Sequence, residues 1–405
     1  MGVNVVLVTS AVAAVAFGVF LRRRRRTERN AVVYCGTARN ARIMGKCPAL
    51  HDVYEVPALL SNGIIHTMVT AIRRMPPEHD VKHKRVRVPV DAVDDVPIFV
   101  DFVLPHDGPD MPDRRKPMIL MLHGLNGCSN AVYIHWMNWA AHQHGYTCCC
   151  LNNRGSGGTV LASPRGYNAA HTGDVRRAVD WLREEVLDPD TPLFMIGFSL
   201  GAGILVKYLS EESTRAIGKV HGAVALCASF NMHKSSVQLE RPFSVKKVII
   251  NRYLARGLVQ YARRHHHVLQ MGETLINWKA VFRATTVRQF DTELVVPIFG
   301  FRDVVHYYDE CSTDSRIHAV GVPLLCVNAD DDPICPSHGI PVDVFASGTN
   351  ENLFLTVVPS GGHVGFLHSA FDLGHSFMER ASLQFINAVC DEATLSKSGA
   401  DLFAA

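Results

Sequence analysis

The sequence predicts an α/β domain whose mostly parallel central sheet is covered on both faces by helices, with a helical cap insertion and an N-terminal transmembrane helix. Three observations predict it. Short, continuously apolar runs recur from Met118 onward and alternate with stretches of helical spacing. Residues 230–320 interrupt that rhythm with a long, charged, helical segment. Val3 to Leu21 carries no charged side chain.

Taken in order, the first 29 residues read as a membrane anchor. Val3 to Leu21 is VNVVLVTSAVAAVAFGVFL, with only Asn4, Thr9 and Ser10 polar. At about 1.5 Å per residue a helix of this length just crosses a hydrocarbon core of about 30 Å. A cleaved signal peptide would need positive charge before the apolar run; here Arg22 to Arg26 follow it. The positive-inside rule then leaves the bulk of the chain in the cytoplasm. The arginines read as a stop-transfer that touches anionic lipid. The expectation is a single-pass membrane protein with a cytoplasmic catalytic domain.

Residues 30–80 contain Gly36, Gly45, Pro48, Pro57 and Gly63 as breakers and read as an irregular lead-in, with a short helix around Ile64 to Arg73. The α/β domain is expected over 81–395, with its cap at about 230–320, and 396–405 as a tail. Val86 to Val90 and Pro97 to Leu104 alternate and are β-branched, which predicts a hairpin. Six core strands follow: Met118 to Leu122, Tyr146 to Leu151, Leu193 to Ile196, Val224 to Ala228, Leu324 to Val327 and Leu353 to Val358. Between them, Gly173 to Glu185 places Val175, Ala178, Val179 and Leu182 at helical spacing.

Composition excludes other classes. The chain has 405 residues, 47% hydrophobic and 20% charged, which is globular and large enough for a sizeable core. Net charge is +3, and residues 22–29 alone hold six arginines against one glutamate. The remainder is close to neutral, so no nucleic-acid partner is expected. Eleven cysteines are scattered without a CxxC pair. Cys148, Cys149 and Cys150 are consecutive, so on a strand they point to alternating faces and form no simple disulfide framework. They read as small buried hydrophobes in a reducing compartment. No N-x-S/T acceptor occurs.

The chemistry is signalled by Gly197-Phe198-Ser199-Leu200-Gly201, which follows one predicted strand and opens a helix. In that context the serine sits on a strained turn with its hydroxyl exposed, small residues on either side let neighbouring backbone approach, and the Leu200 amide faces a developing oxyanion. Serine needs a base held by an acid. Asp330, Asp331 and Asp332 follow the strand Leu324 to Val327, and His363 follows the last strand after Gly361 and Gly362. Asp332 precedes Pro333 and stands four before Pro336, and is the first choice of acid; Asp331 is the second, with Asp330 as a turn cap. His338 and His368 are the alternatives to His363. His123-Gly124-Leu125-Asn126-Gly127 follows an earlier strand and supplies the second oxyanion amide from Leu125, with His123 shaping the loop. Arg154 reads as a buried arginine that holds loops together. His265, His266 and His267 splay by about 100° each on a helix and so cannot share one ion.

At these residues the chain resembles the α/β-hydrolase superfamily and, within it, the YheT-like branch with abhydrolase-domain proteins 1, 2 and 3 and plant embryogenesis-associated proteins. HGLNG, NNRGSGG at 152–158, GFSLGAG at 197–203, DPICPSHGIP and GGHVGF carry the resemblance. So do Asp291-Thr292, Gly300-Phe301, Tyr307-Tyr308 and Ser312 in the cap, and Asn62-Gly63 with Thr67 and Asp101-Phe102 upstream. Asn126 stands where threonine is usual, and Phe102 where tryptophan is usual. The resemblance implies a Ser199, Asp332 and His363 triad acting on acyl esters of lipids: phospholipids, monoacylglycerols or medium-chain fatty-acid esters. The expected protein is a serine carboxylic-ester hydrolase with no metal or organic cofactor. Acyl transfer, thioester or peptide cleavage by the same triad, and a non-catalytic binding scaffold on this fold, are the competing readings.

Overall fold

The computed structural model describes residues 29–77, 81–89, 96–242, 244, 246–272, 274–369, 374 and 376–403. The apolar segment and arginine run before Arg29 lie outside them, as does the end of the expected tail. Among the described residues no helix is long and apolar enough to cross a membrane.

Nine strands form one sheet: β1 (Ala31–Tyr34), β2 (Val81–Val88), β3 (Ile98–Pro105), β4 (Met118–Leu122), β5 (Thr147–Asn152), β6 (Leu193–Phe198), β7 (Gly222–Leu226), β8 (Leu324–Ala329) and β9 (Leu353–Val358). Their order is β1-β9-β8-β7-β6-β4-β5-β3-β2. The six predicted core strands are β4 to β9, and they run parallel. β2 and β3 make the predicted antiparallel hairpin, with β2 at Val81–Val88 where the sequence predicts Val86 to Val90, and β3 in turn runs antiparallel to β5. Buried on both faces, the parallel strands need no alternation, which is why they read as continuous apolar runs.

Two apolar layers flank the sheet. On one face Val175 and Val179 of α4 (Gly173–Trp181) and Leu205 and Leu209 of α5 (Leu200–Glu212) pack with Cys149. On the other, Ile43 of α1 (Ala38–Gly45), Met137 of α3 (Val132–Gln143) and Ile386 of α9 (Phe377–Phe403) pack with Cys148 and Cys150. The cysteine run therefore divides between the faces, and no disulfide links the described residues.

Other elements also depart from expectation. The fourth core strand begins and ends two residues early, because Cys227 turns the chain out of the sheet at φ +54°. The helix from Gly173 ends at Trp181 and continues as a π-helical turn, Leu182–Val186. The lead-in is not irregular: β1 adds an antiparallel edge strand to β9, α1 is capped by Thr37, and α2 (Gly63–Thr70) is capped by the Asn62 side chain. Four residues of β1 are too few to show a period. Between β7 and β8 the chain forms a helical cap that includes α6 (Met232–Glu240), α7 (Arg252–Arg264) and α8 (Val304–Cys311), with its own apolar cluster.

Candidate active site

Ser199 sits between β6 and α5 at φ +54°. That left-handed backbone is costly for a residue with a side chain and is retained where the surroundings over-determine it. Here the surroundings are backbone. A Cβ at Gly197 would lie 2.6 Å from the Gly201 carbonyl, and one at Gly201 would lie 2.2 Å from the Leu122 carbonyl. The two glycines of G-x-S-x-G therefore let β6, α5 and β4 close around the turn and force the hydroxyl outward.

The hydroxyl meets the imidazole directly. Ser199 Oγ lies 2.7 Å from His363 Nε2. His363 Nδ1 lies 2.8 Å from Asp332 Oδ2, so with Nδ1 protonated the carboxylate accepts and Nε2 is left as base. Asp332 Oδ1 accepts from the amides of Ile334 at 2.7 Å and Cys335 at 2.9 Å, which fixes its rotation. Both Asp332 and His363 are buried.

The neighbouring aspartates have other positions. Asp331 accepts from the amides of Gly361 at 2.8 Å and Gly362 at 2.9 Å and from the Ser360 hydroxyl. It ties the loop after β8 to the loop that carries His363, and burial pushes its pKa up. Asp330 is exposed. His338 and His368 do not join the Ser199–His363–Asp332 chain: His338 accepts from Lys234 Nζ through its carbonyl, and His368 meets the Tyr54 ring edge-on.

The oxyanion side is a tight turn. The Gly127 amide donates to the Gly124 carbonyl at 3.0 Å, with Asn126 at φ +60°. Asparagine is among the side-chain-bearing residues that adopt that conformation most readily. The Gly124 amide donates to Tyr133 Oη at 2.9 Å. Among the described residues the amides of Leu125 and Leu200 have no protein acceptor. Leu200 opens α5, so its N–H belongs to the helix's unpaired first turn. Both leucines line the Ser199 cavity.

His123 is buried, with Nδ1 2.8 Å from the Gly124 carbonyl and Nε2 accepting from the Asn153 amide at 3.1 Å. Burial lowers its pKa to about 4, so it stays neutral and shapes the loop. Arg154 makes a two-pronged pair with Asp174 at 2.8 and 2.6 Å. Burial alone would raise the Asp174 carboxyl; hydrogen bonds from His171 and Arg154 hold it down at about 2. The three consecutive histidines face different neighbours: His265 Nε2 lies 2.8 Å from the Gly155 carbonyl, His266 packs on Trp278, and His267 is exposed.

Two contributors are legible in the sequence only as part of the resemblance. Thr67 Oγ1 accepts from the His363 amide, and a Cβ at Gly63 would lie 1.9 Å from the Asp331 carbonyl. α2 thus packs against both loops that carry Asp332 and His363. A third, Cys227, gives no sequence signal: its Sγ lies within 4.8 Å of the donor atoms of Asp332 and His363 and accepts from the Val364 amide.

The cavity over Ser199 measures about 270 Å³ and is roofed by cap residues Met232, Leu239, Leu254 and Val287. A smaller apolar chamber of about 70 Å³ shares Leu125, Leu200, Met232 and Val287 with it and extends to Phe290, Leu294 and Ile298.

A parallel sheet with a serine on a strained strand–helix turn, a histidine after the last strand and a carboxylate between them defines the α/β-hydrolase class of protein. The match to the alpha/beta hydrolase fold family covers residues 117–370, and the chain belongs to that family as an ABHD/YheT-like protein. It is 33% identical over 276 residues to phospholipase ABHD3 of Mus musculus, covering 68% of this chain and 64% of that protein. It is 30% identical over 302 residues to the monoacylglycerol lipase of Saccharomyces cerevisiae, covering 73% and 65%. To the putative esterase YheT of Escherichia coli it is 28% identical over 254 residues, covering 63% and 72%. The match spans just under two thirds of the length of the phospholipase and of the lipase.

Proposed function

We propose that this protein is a membrane-anchored serine hydrolase that cleaves carboxylic esters of lipids through an acyl-serine intermediate. The observation that carries the reading is the Ser199–His363–Asp332 hydrogen-bond chain opening on a largely apolar cavity. The names of the relatives, a phospholipase and a monoacylglycerol lipase, support a lipid ester as substrate. The uncharged run Val3 to Leu21, with arginines after it, supports the anchor and a cytoplasmic catalytic domain.

His363 Nε2 takes the proton as Ser199 Oγ attacks the ester carbonyl. Asp332 holds the tautomer and stabilises the imidazolium. The amides of Leu125 and Leu200 receive the oxyanion; each such donor contributes about 3–4 kcal/mol to the transition state. The imidazolium returns its proton to the departing alcohol oxygen. Water, deprotonated by the same nitrogen, then releases the acid from the acyl-serine.

The test is acyl-chain-resolved hydrolysis of a panel of lipid esters by wild type and Ser199→Ala in parallel. Turnover by wild type alone supports the reading. Equal turnover by both removes Ser199 from the mechanism. Product formed only when an alcohol acceptor is supplied moves the activity to acyl transfer.

A further inference from the structure

The near-neutral charge outside residues 22–29 conceals a local concentration. From Arg241 to Phe290 the sequence holds ten lysines and arginines and one acidic residue, Glu273. This segment is the centre of the cap. Along α7 the exposed residues are Arg252, Tyr253, Arg256, Gln260, Arg263 and Arg264. At about 100° per residue they occupy one face of the helix. The opposite side meets the core: the Leu254 carbonyl accepts from Asn126 Nδ2 at 3.0 Å, and Tyr261 Oη donates to the Arg154 carbonyl at 2.9 Å. Among the described residues, none of Arg252, Arg256, Arg263 and Arg264 forms an ion pair, while the Arg263 guanidinium lies over the Phe282 ring at 4.4 Å.

Helix stability does not explain the pattern. Arg263 and Arg264 suit the C-terminal end of α7, but Arg252 and Arg256 lie within a continuous helical run, because a π-helical turn, Lys246–Asn251, leads straight into α7, so the helix dipole accounts for neither. Large apolar side chains are also exposed in this segment: Val248 at 64%, Tyr253 at 68%, Met271 at 74% and Leu275 at 98%. Arginines without ion pairs, interleaved along the sequence with exposed apolar side chains, fit an anionic lipid surface, which takes both, better than a soluble polyanion, which takes only the charge.

The topology gives a second, independent argument. Ala31 of β1 pairs with Val357, near the C-terminal end of β9. The chain therefore enters the fold at the end of the sheet that carries Ser199, His363 and the cap. The apolar run and Arg22 to Arg26 precede that point in the sequence. Leu254 of α7 also lines the Ser199 cavity, so the helix that bears the basic face roofs the site.

We propose that the exposed basic face of α7 and the exposed apolar side chains of the same segment dock the cap onto an anionic bilayer, so that the Ser199 cavity faces the membrane from which its substrate comes. The inference rests on the lipid-ester reading for its purpose, but its test does not depend on catalysis.

The full chain carrying Ser199→Ala is placed in nanodiscs of phosphatidylcholine alone or of phosphatidylcholine with phosphatidylserine. The N-terminal segment is then present in both, and amide hydrogen exchange is followed over residues 248–272. Slower exchange on the anionic discs, reversed by high salt, is the expected result. Arg252→Glu with Arg256→Glu should reduce that protection about thirtyfold, at roughly 1 kcal/mol per basic residue near the surface. Leu275→Asp should reduce it with both arginines intact. The arginine pair introduced into the active protein should leave turnover of a water-soluble short-chain ester unchanged, which shows that the variant folds. Equal exchange on both discs, or protection indifferent to charge reversal, overturns the proposal. Equal protection by soluble poly(U) without lipid overturns it in favour of a polyanion partner. Docking without any ester turnover by the wild type would leave this inference standing and remove the hydrolase reading.

Discussion

Thr67 Oγ1 accepts the main-chain N–H of His363 at 2.8 Å and donates its own proton to the Gly63 carbonyl at 2.6 Å. A helix near the start of the chain therefore fixes the backbone of a histidine near its end. Thr67→Val keeps the shape and removes the acceptor. A buried N–H left unpaired costs about 1–3 kcal/mol, so kcat/KM should fall roughly tenfold or more while Thr67→Ser retains most activity. Steady-state kinetics of the two variants checks this; equal rates would show that the contact does not position His363.

The adjacent aspartates should separate cleanly. Asp332→Asn should lower kcat by about 10⁴-fold, because the amide favours the wrong imidazole tautomer. Asp331→Asn weakens the acceptor for Gly361 and Gly362 and should act mainly on stability, by about 1–3 kcal/mol. Kinetics paired with urea unfolding distinguishes them, and a reversed pattern would exchange their roles.

Asp291 is buried in the cap, with Tyr308 Oη donating to it at 2.9 Å. Burial raises its pKa to about 7, from 3.8 in the unfolded chain, although the Tyr308 hydrogen bond opposes the rise. The folded state thus keeps a proton that the unfolded state loses. Its stabilising share is complete below about pH 4 and is lost as pH rises to about 7. Asp291→Asn should remove this slope and gain at pH 8 relative to wild type, by up to about 4 kcal/mol. Unfolding free energies between pH 4 and 8 test it; parallel curves for the two proteins would refute it.

Arg73 and Glu379 form a fully buried pair at 3.1 Å, and the guanidinium also donates to the Gly374 carbonyl. Removing one partner strands the other. Arg73→Ala should cost about 3–5 kcal/mol, and Arg73→Met with Glu379→Leu considerably less. Chemical denaturation of the single and double variants makes the comparison.

What the sequence discloses follows from where the determining contacts lie. β4 to β9 are legible because burial on both faces leaves a continuous apolar signature, and Ser199 because its turn needs small residues at fixed short spacing. β1 is not legible: its four residues acquire meaning only beside β9. Gly63 and Thr67 answer to Asp331 and His363, far along the chain, so no local pattern marks them. Asp331 and Asp332 follow the same strand; the prolines at 333 and 336 favour Asp332 as the partner of His363, but nothing local shows that the Asp331 carboxylate goes to the glycine amides. The basic face of α7 is invisible in a net charge of +3 because acidic residues elsewhere cancel it.

The pairing of β1 with β9 also sets an order of events during synthesis. Asn40 Nδ2 donates to the Glu351 carbonyl across 311 residues of chain, and β1 has no ladder partner until β9 exists. Contacts of that span form late, after the local helices and the central parallel strands. His363 emerges from the ribosome only a few residues after β9. The strand that β1 pairs with and the histidine that meets Ser199 thus become available together, so a nascent chain still lacking β9 has Ser199 on its turn without His363 beside it.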